Sequence, residues 1–191
     1  MKIKTEKDII RLIENDEWMM NVLQMAKSLE LPDWWICAGF VRSKIWDTLH
    51  DYEAKTAMPD VDMIYYDSLH QDEIYEQSLE TKLMNIDATI PWSVKNQARM
   101  HVVNNMPPYS SSGDAISKFP ETATALGVTL DEQNRVILTA PCGINDVLSL
   151  QVKPTAHFLE TKKRIHMYKN RVIKKNWQSK WPNITITYPE I

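Results

Sequence analysis

Apolar side chains recur at helical spacing through the first thirty residues, then give way to short unbroken runs. Thr5 is suited to cap a helix, with Asp8 three positions on favouring its N-terminus and Ile9, Ile10, Leu12 and Ile13 following. A second helix is expected from Asp16, with a broad apolar face of Trp18, Met19, Val22, Leu23, Met25, Ala26 and Leu29. Methionine and aromatic residues at this spacing are core positions far more often than cofactor contacts. Pro32 ends the helical stretch. Residues 34–38 form a short apolar strand that Gly39 breaks, and 40–50 return to helical spacing through Val41, Ile45, Trp46 and Leu49. The run Val61-Asp62-Met63-Ile64-Tyr65-Tyr66 reads as a strand.

Beyond it, 71–84 is expected to be a helix and 92–103 a strand, followed by a Pro- and Ser-rich loop over 106–114. A short helix over 114–119 is interrupted by Pro120, and 121–125 suit a helix ended by Gly127. Residues 128–130 and 135–139, with a polar turn between them, read as a hairpin that extends the sheet. Residues 147–152 fit strand or helix equally. A basic helix begins near Thr155.

Composition narrows the class. With 191 residues, 43% hydrophobic and 25% charged, the chain is expected to be one domain, with N-terminal helices over 1–30 and the basic helix over 155–180 packed on it. Four glycines and ten prolines leave no flexible linker, and there is no internal repeat. Cys37 and Cys142 lack Cys-x-x-Cys spacing, which argues against a disulfide scaffold or a cysteine zinc site. The first residues are too charged for a signal peptide and no apolar run is long enough to span a bilayer, so the expectation is a cytoplasmic protein with no membrane partner. Net charge is −3, unevenly spread: residues 156–191 hold eight Lys/Arg against two acids, a net of +6, which leaves −9 on the remainder.

Chemistry concentrates around Asp60-Val61-Asp62. Side chains alternate along a strand, so Asp60 and Asp62 share a face, and two like charges there call for a cation between them. Mg²⁺, which takes carboxylate and phosphate oxygens, suits the pair. Upstream, Gly39 lets a phosphate approach the backbone, the following helix N-terminus favours an anion, and Arg42 can add a charged contact. Strand alternation would put Lys95, Gln97, Arg99 and His101 on one face, a donor row for phosphate or ribose or else a solvent-facing edge. Asp146 is an N-cap or a site acid. The C-terminal basic helix, interleaved with His166, Tyr168, Trp177 and Trp181, has the footprint of RNA contact or of a solubilising surface helix whose tryptophans dock on the domain.

Ala38-Gly39-Phe40-Val41-Arg42 with Asp60-Val61-Asp62 resembles the Gly-Gly-x-Val-Arg-Asp and Asp-x-Asp pair of the nucleotidyltransferase superfamily, near the head domains of tRNA CCA-adding enzymes and poly(A) polymerases. The chain is similar to a bacterial family of small nucleotidyltransferase-like proteins through 34–46, 59–66, 92–101, 120–125 and 140–146. The resemblance implies an α+β fold, a polymerase-β-like mixed sheet flanked by helices. It implies Mg²⁺ held by Asp60 and Asp62, an NTP triphosphate against Gly39 with Arg42 and Ser43 nearby, and a hydroxyl attacking the α-phosphate. The acceptor could be RNA, a protein hydroxyl or a small molecule. Full CCA addition is not expected, because only the head is matched. Ala38 replaces the first glycine, and Ser43 stands where the CCA-adding pattern has aspartate. The superfamily's third carboxylate has no counterpart within 92–103; Asp87, Asp114 and Asp146 are the candidates. Two functions are therefore open: a Mg-dependent nucleotidyltransferase, or a nucleotide- or RNA-binding regulatory module of the same fold.

Overall fold

The computed structural model describes residues 3–190. Two helices lead, α1 (Glu6–Glu14) and α2 (Glu17–Lys27). Thr5 caps α1 in a reciprocal capping box with Asp8, and the Asp16 carboxylate caps α2 by accepting from the Met19 amide. Five strands follow: β1 (Trp35–Cys37), β2 (Val61–Tyr65), β3 (Trp92–Asn96), β4 (Gly127–Leu130) and β5 (Val136–Thr139). They form one mixed sheet in the order β3-β2-β1-β4-β5, in which only β2 and β3 run parallel. Helix α3 (Gly39–Leu49) joins β1 to β2, and α4 (Glu73–Ile86) is the crossover between the parallel pair.

Alternation along the strands divides the sheet into two faces. Ile36, Val61, Met63, Tyr65, Val94 and Val128 point into the main core, against Ile9, Ile13, Val22, Leu23, Val41, Ile45, Leu79 and Leu83 from the helices. Cys37 and Ile64 point the other way, into a small cluster with Ile116 and Ala125. Asp62 shares their face by parity, and that face is only partly covered. Gly127 opens β4 instead of ending a helix: a Cβ there would lie 2.8 Å from Cys37 Sγ, so only glycine lets β4 meet β1.

The segment 92–103 is not a single strand. It is β3 as far as Asn96 and then a helix, α5 (Gln97–Val103). Asn96 causes the change. Its buried side chain accepts from the amides of Ala98 and Asp67 and donates to the carbonyls of Asp67 and His70, so it caps the helix and ties down the loop after β2. The row predicted by strand alternation therefore does not exist. Helix α6 (Ser112–Ser117) precedes a single 3₁₀ turn at Thr122–Thr124, and the stretch 147–152, which suited helix or strand, is divided between the end of α7 (Asn145–Leu148) and β6 (Gln151–Val152).

The C-terminal segment is α8 (Ala156–Leu159), α9 (Lys162–Lys175) and β7 (Thr185–Ile186), the last pairing in parallel with β6. Asn176 ends α9 in the left-handed conformation. Trp177 and Trp181 are buried beyond it, and the Trp181 indole donates to Asp47 at 2.7 Å, which locks this segment onto α3. No helix among the described residues is long and apolar enough to cross a membrane.

Candidate functional site

The turn from β1 into α3 is the first wall of the site. Ala38 has φ 54° and ψ −112°, a region that glycine enters freely and a Cβ resists. Its amide donates to the Leu126 carbonyl and its carbonyl accepts from the Arg42 amide, so neighbours on both sides hold the strained turn. α1, α2, α4 and α9 all begin with a side-chain cap, whereas α3 has none. Its first amides point out of the helix end without that usual acceptor, beside a pocket lined by Ala38, Gly39, Arg42, Ser43, Asp60 and Asp62. A Cβ on Gly39 would clash with nothing, but it would stand 3.6 Å from Arg42 Nη2, filling space that a ligand could use.

Arg42 is unusual in its company. It is 7% exposed and makes no ion pair among the described residues. Its guanidinium instead lies 4.6 Å from the ring centroid of Trp177, 5.1 Å from that of Trp46 and 5.5 Å from that of Trp181. Nη2 donates to the Ser43 hydroxyl at 3.3 Å, while Nε is buried without a hydrogen-bond partner. Burial pushes its pKa down to about 10, with the Glu121 charge opposing, so it stays cationic at neutral pH. A desolvated arginine held by tryptophans and lacking a carboxylate has donors to spare for an anion.

Opposite it, Asp60 and Asp62 line the same pocket. Burial raises the Asp62 pKa, and the Asp60 charge raises it further. Three groups work against that shift: the Ser93 hydroxyl by hydrogen bonding, and the Lys175 and Arg171 charges. Ser93 is the residue in register with Asp62 on parallel β3. The position that flanks Asp62 on the neighbouring strand is thus a hydroxyl, not a carboxylate. Among the described residues, no group of three or more His, Cys, Asp and Glu could by itself hold a metal ion.

Other predicted site residues lie elsewhere. Arg99 grips the fully buried Glu76 of α4 through Nε at 2.9 Å and Nη2 at 2.7 Å, and Lys95 pairs with Glu80 at 3.3 Å. Both act as struts, Lys95 tying the end of β3 and Arg99 the start of α5 to α4. Gln97 lines a second, larger groove. Asp87 is taken up by Thr89, Asp114 by Lys118 and the Ser110 amide, and Asp146 by Lys153 and Thr122; none of the three lines the pocket. Asp146 does not cap α7 either, since Ile144 holds that position.

The far wall comes from the other end of the chain. Arg171, Lys175, Trp177, Lys180 and Trp181 form it, with Ala57, Met58 and Pro59 of the loop before β2 completing the lining. Arg171 is aimed by the buried Glu121, which accepts from its Nε at 2.7 Å. The available signal for these residues was Arg171 and Lys175 at i, i+4 on a helix followed by two tryptophans, together with the glutamate in Pro120-Glu121-Thr122.

A nucleotidyltransferase family model matches residues 24–186. A solved NMR structure described as revealing a CCA-adding enzyme head domain is 37% identical, covers 98% of each chain and superposes with a TM-score of 0.88. Whole CCA-adding enzymes are more distant. The Thermotoga maritima enzyme complexed with tRNA is 12% identical at TM-score 0.58 over 94% of this chain and 42% of its own. A CCA-adding enzyme complexed with ATP is 11% identical at 0.50 over 87% and 41%. This chain spans less than half of either. No curated protein sequence matches it.

Proposed function

The chain belongs to a nucleotidyltransferase family and carries the fold of a CCA-adding enzyme head domain, and from that premise we propose that it binds a metal-complexed NTP in the Asp60/Asp62 pocket and transfers its nucleoside monophosphate to a hydroxyl. The observation that carries the reading is the pairing of an uncapped helix end and an unpaired buried arginine with two same-face aspartates across one pocket. Anion-binding and cation-binding groups thus line one cleft.

The fold family implies Mg²⁺, and the donors fit it: Mg²⁺ is held by one or two carboxylates together with substrate phosphates, so two aspartates suffice once a triphosphate is present. Asp60 and Asp62 would hold it, and when bound it supplies charge neutralisation at the reacting phosphate. The α3 amides, Gly39 and Arg42 take the phosphate oxygens. Arg171, Lys175 and Lys180 offset the triphosphate's remaining charge. The pocket's volume of about 80 Å³ suits phosphate groups and leaves the nucleoside outside it. The acceptor oxygen bonds to the α-phosphorus as the bond to the α–β bridging oxygen breaks. Pyrophosphate leaves with that electron pair, and the hydroxyl proton passes to the aspartate pair.

The test is incubation with Mg²⁺ and each α-³²P-labelled NTP, following label transfer and pyrophosphate release. Turnover that falls at least about 100-fold in Asp60→Ala supports transfer. Ser93, at the position in register with Asp62, favours a second reading in which the pocket binds NTP without turnover. NTP binding with no pyrophosphate from any NTP would select that reading.

A further inference from the structure

Glu121 is a buried acid that the transfer step does not use. It lies in the connection between α6 and β4, within Pro120-Glu121-Thr122, and none of it is exposed. Its backbone is fixed: the carbonyl accepts from the amides of Thr124 and Ala125, and the residue pairs with Pro154 in an isolated bridge. Its side chain is fixed as well. Oε2 accepts from the Thr124 hydroxyl at 2.7 Å, and Oε1 accepts from Arg171 Nε, fifty positions away, at 2.7 Å. The manner of that second contact separates it from a strut. Arg99 gives both Nε and Nη2 to Glu76, so its fork is closed on its partner. Arg171 gives Glu121 only Nε, and neither Nη makes a hydrogen bond among the described residues. The Arg171 side chain is 38% exposed and lines the phosphate pocket, and its charge acts on both Arg42 and Asp62. The guanidinium thus reaches from a buried anchor to the pocket with most of its donors free.

We propose that Glu121 is a positioning residue for this pocket: it holds Arg171 by Nε before a ligand arrives, so that both Nη groups are turned to the triphosphate. The proposal rests on the nucleotide reading above and adds to it a residue that does not line the pocket. A long side chain that a ligand must itself order gives up rotamer freedom on binding, and one ordered beforehand does not. Orientation is the effect to read, not ionisation. The Glu121 charge opposes the fall in the Arg42 pKa, but at about 10 Arg42 is cationic at neutral pH in any case.

The experiment is calorimetric titration of Mg·ATP into wild type, Glu121→Ala, Arg171→Ala, the double variant and Glu121→Gln, with thermal denaturation reporting how much of each is folded. Each alanine variant is expected to bind about tenfold more weakly. The double variant should bind no more weakly than Arg171→Ala alone, because Glu121 acts through Arg171. Glu121→Gln keeps an oxygen opposite Nε and should recover most of the loss. A residue that only supports the fold would lower Tm in Glu121→Ala with ATP affinity unchanged in the folded molecules, or would add its loss to that of Arg171→Ala; either result overturns the proposal. The Arg171 Nε–Hε resonance gives a check on wild type that needs no variant to fold. It should be resolved and protected from exchange in ligand-free protein and shift saturably with Mg·ATP; a resonance averaged by exchange before ATP is added, or one that ATP does not move, overturns the proposal as well. Wild type that binds no Mg·ATP defeats the nucleotide reading and the proposal with it, whereas undiminished binding in Arg171→Ala defeats the proposal alone.

Discussion

Ala38 adopts a backbone suited to glycine at the mouth of the pocket, where the resembling motif has glycine. Strain of this kind costs about 1–3 kcal/mol, and glycine's greater freedom in the unfolded chain offsets about 0.5–1 kcal/mol of any relief. Ala38→Gly is therefore expected to stabilise the protein by about 1 kcal/mol, seen as a Tm roughly 3 °C higher. Asp62 gives a prediction with a pH signature. Its folded-state pKa is raised, mainly by burial, so the folded protein binds that proton more tightly than the unfolded chain does. Folding then carries no penalty from Asp62 below the unfolded pKa of about 3.9, and the penalty grows as pH rises through the folded value. In metal-free protein, Asp62→Asn should raise Tm at pH 7 and lose that gain as pH falls toward 4, while abolishing transfer. Denaturation followed across that range checks both signs. Gly39, Arg42, Asp60 and Asp62 could be grouped from the chain itself because each pair is local: a turn into a helix, and two positions of one strand.

At the scale of elements, the paired ends of the chain matter most. Trp46 of α3 meets Trp177 and Trp181 edge-on, with centroids 5.9 and 5.2 Å away, and these three rings also surround Arg42. Trp181→Ala should cost about 3–5 kcal/mol and, by loosening the segment that carries Arg171 and Lys175, reduce NTP affinity in the molecules that remain folded; urea unfolding and calorimetric titration measure the two effects. The opposite outcome is expected at the buried Glu76. Glu76→Gln removes the partner of Arg99 and should destabilise by about 3 kcal/mol without changing NTP affinity, because that network braces α4 against β3 away from the pocket. Lys95 and Arg99 suggested a ligand row only as long as 92–103 was one strand. Asn96 breaks the period, and a buried side chain with four hydrogen bonds is not visible in a polar run.

Across the whole molecule, the uneven charge of the sequence becomes a spatial fact. The C-terminal cations face the Asp60/Asp62 side of the sheet, where they work against the rise in the Asp62 pKa and offer a positive path to anions. The sheet and most of its helices were legible from apolar periodicity, since burial on one face imposes that period. The wall formed by Arg171, Lys175 and the two tryptophans was not, because no local pattern records that a helix will fold back onto a turn in the first quarter of the chain. Nucleotide binding at this pocket requires above all that the turn hold phosphate. Backbone amide shifts of isotopically labelled protein titrated with Mg·ATP test it directly. Saturable shifts at Gly39, Phe40 and Val41, weakened in Asp62→Ala, are the predicted result; no shift at Gly39 in either protein, with any NTP, would contradict it.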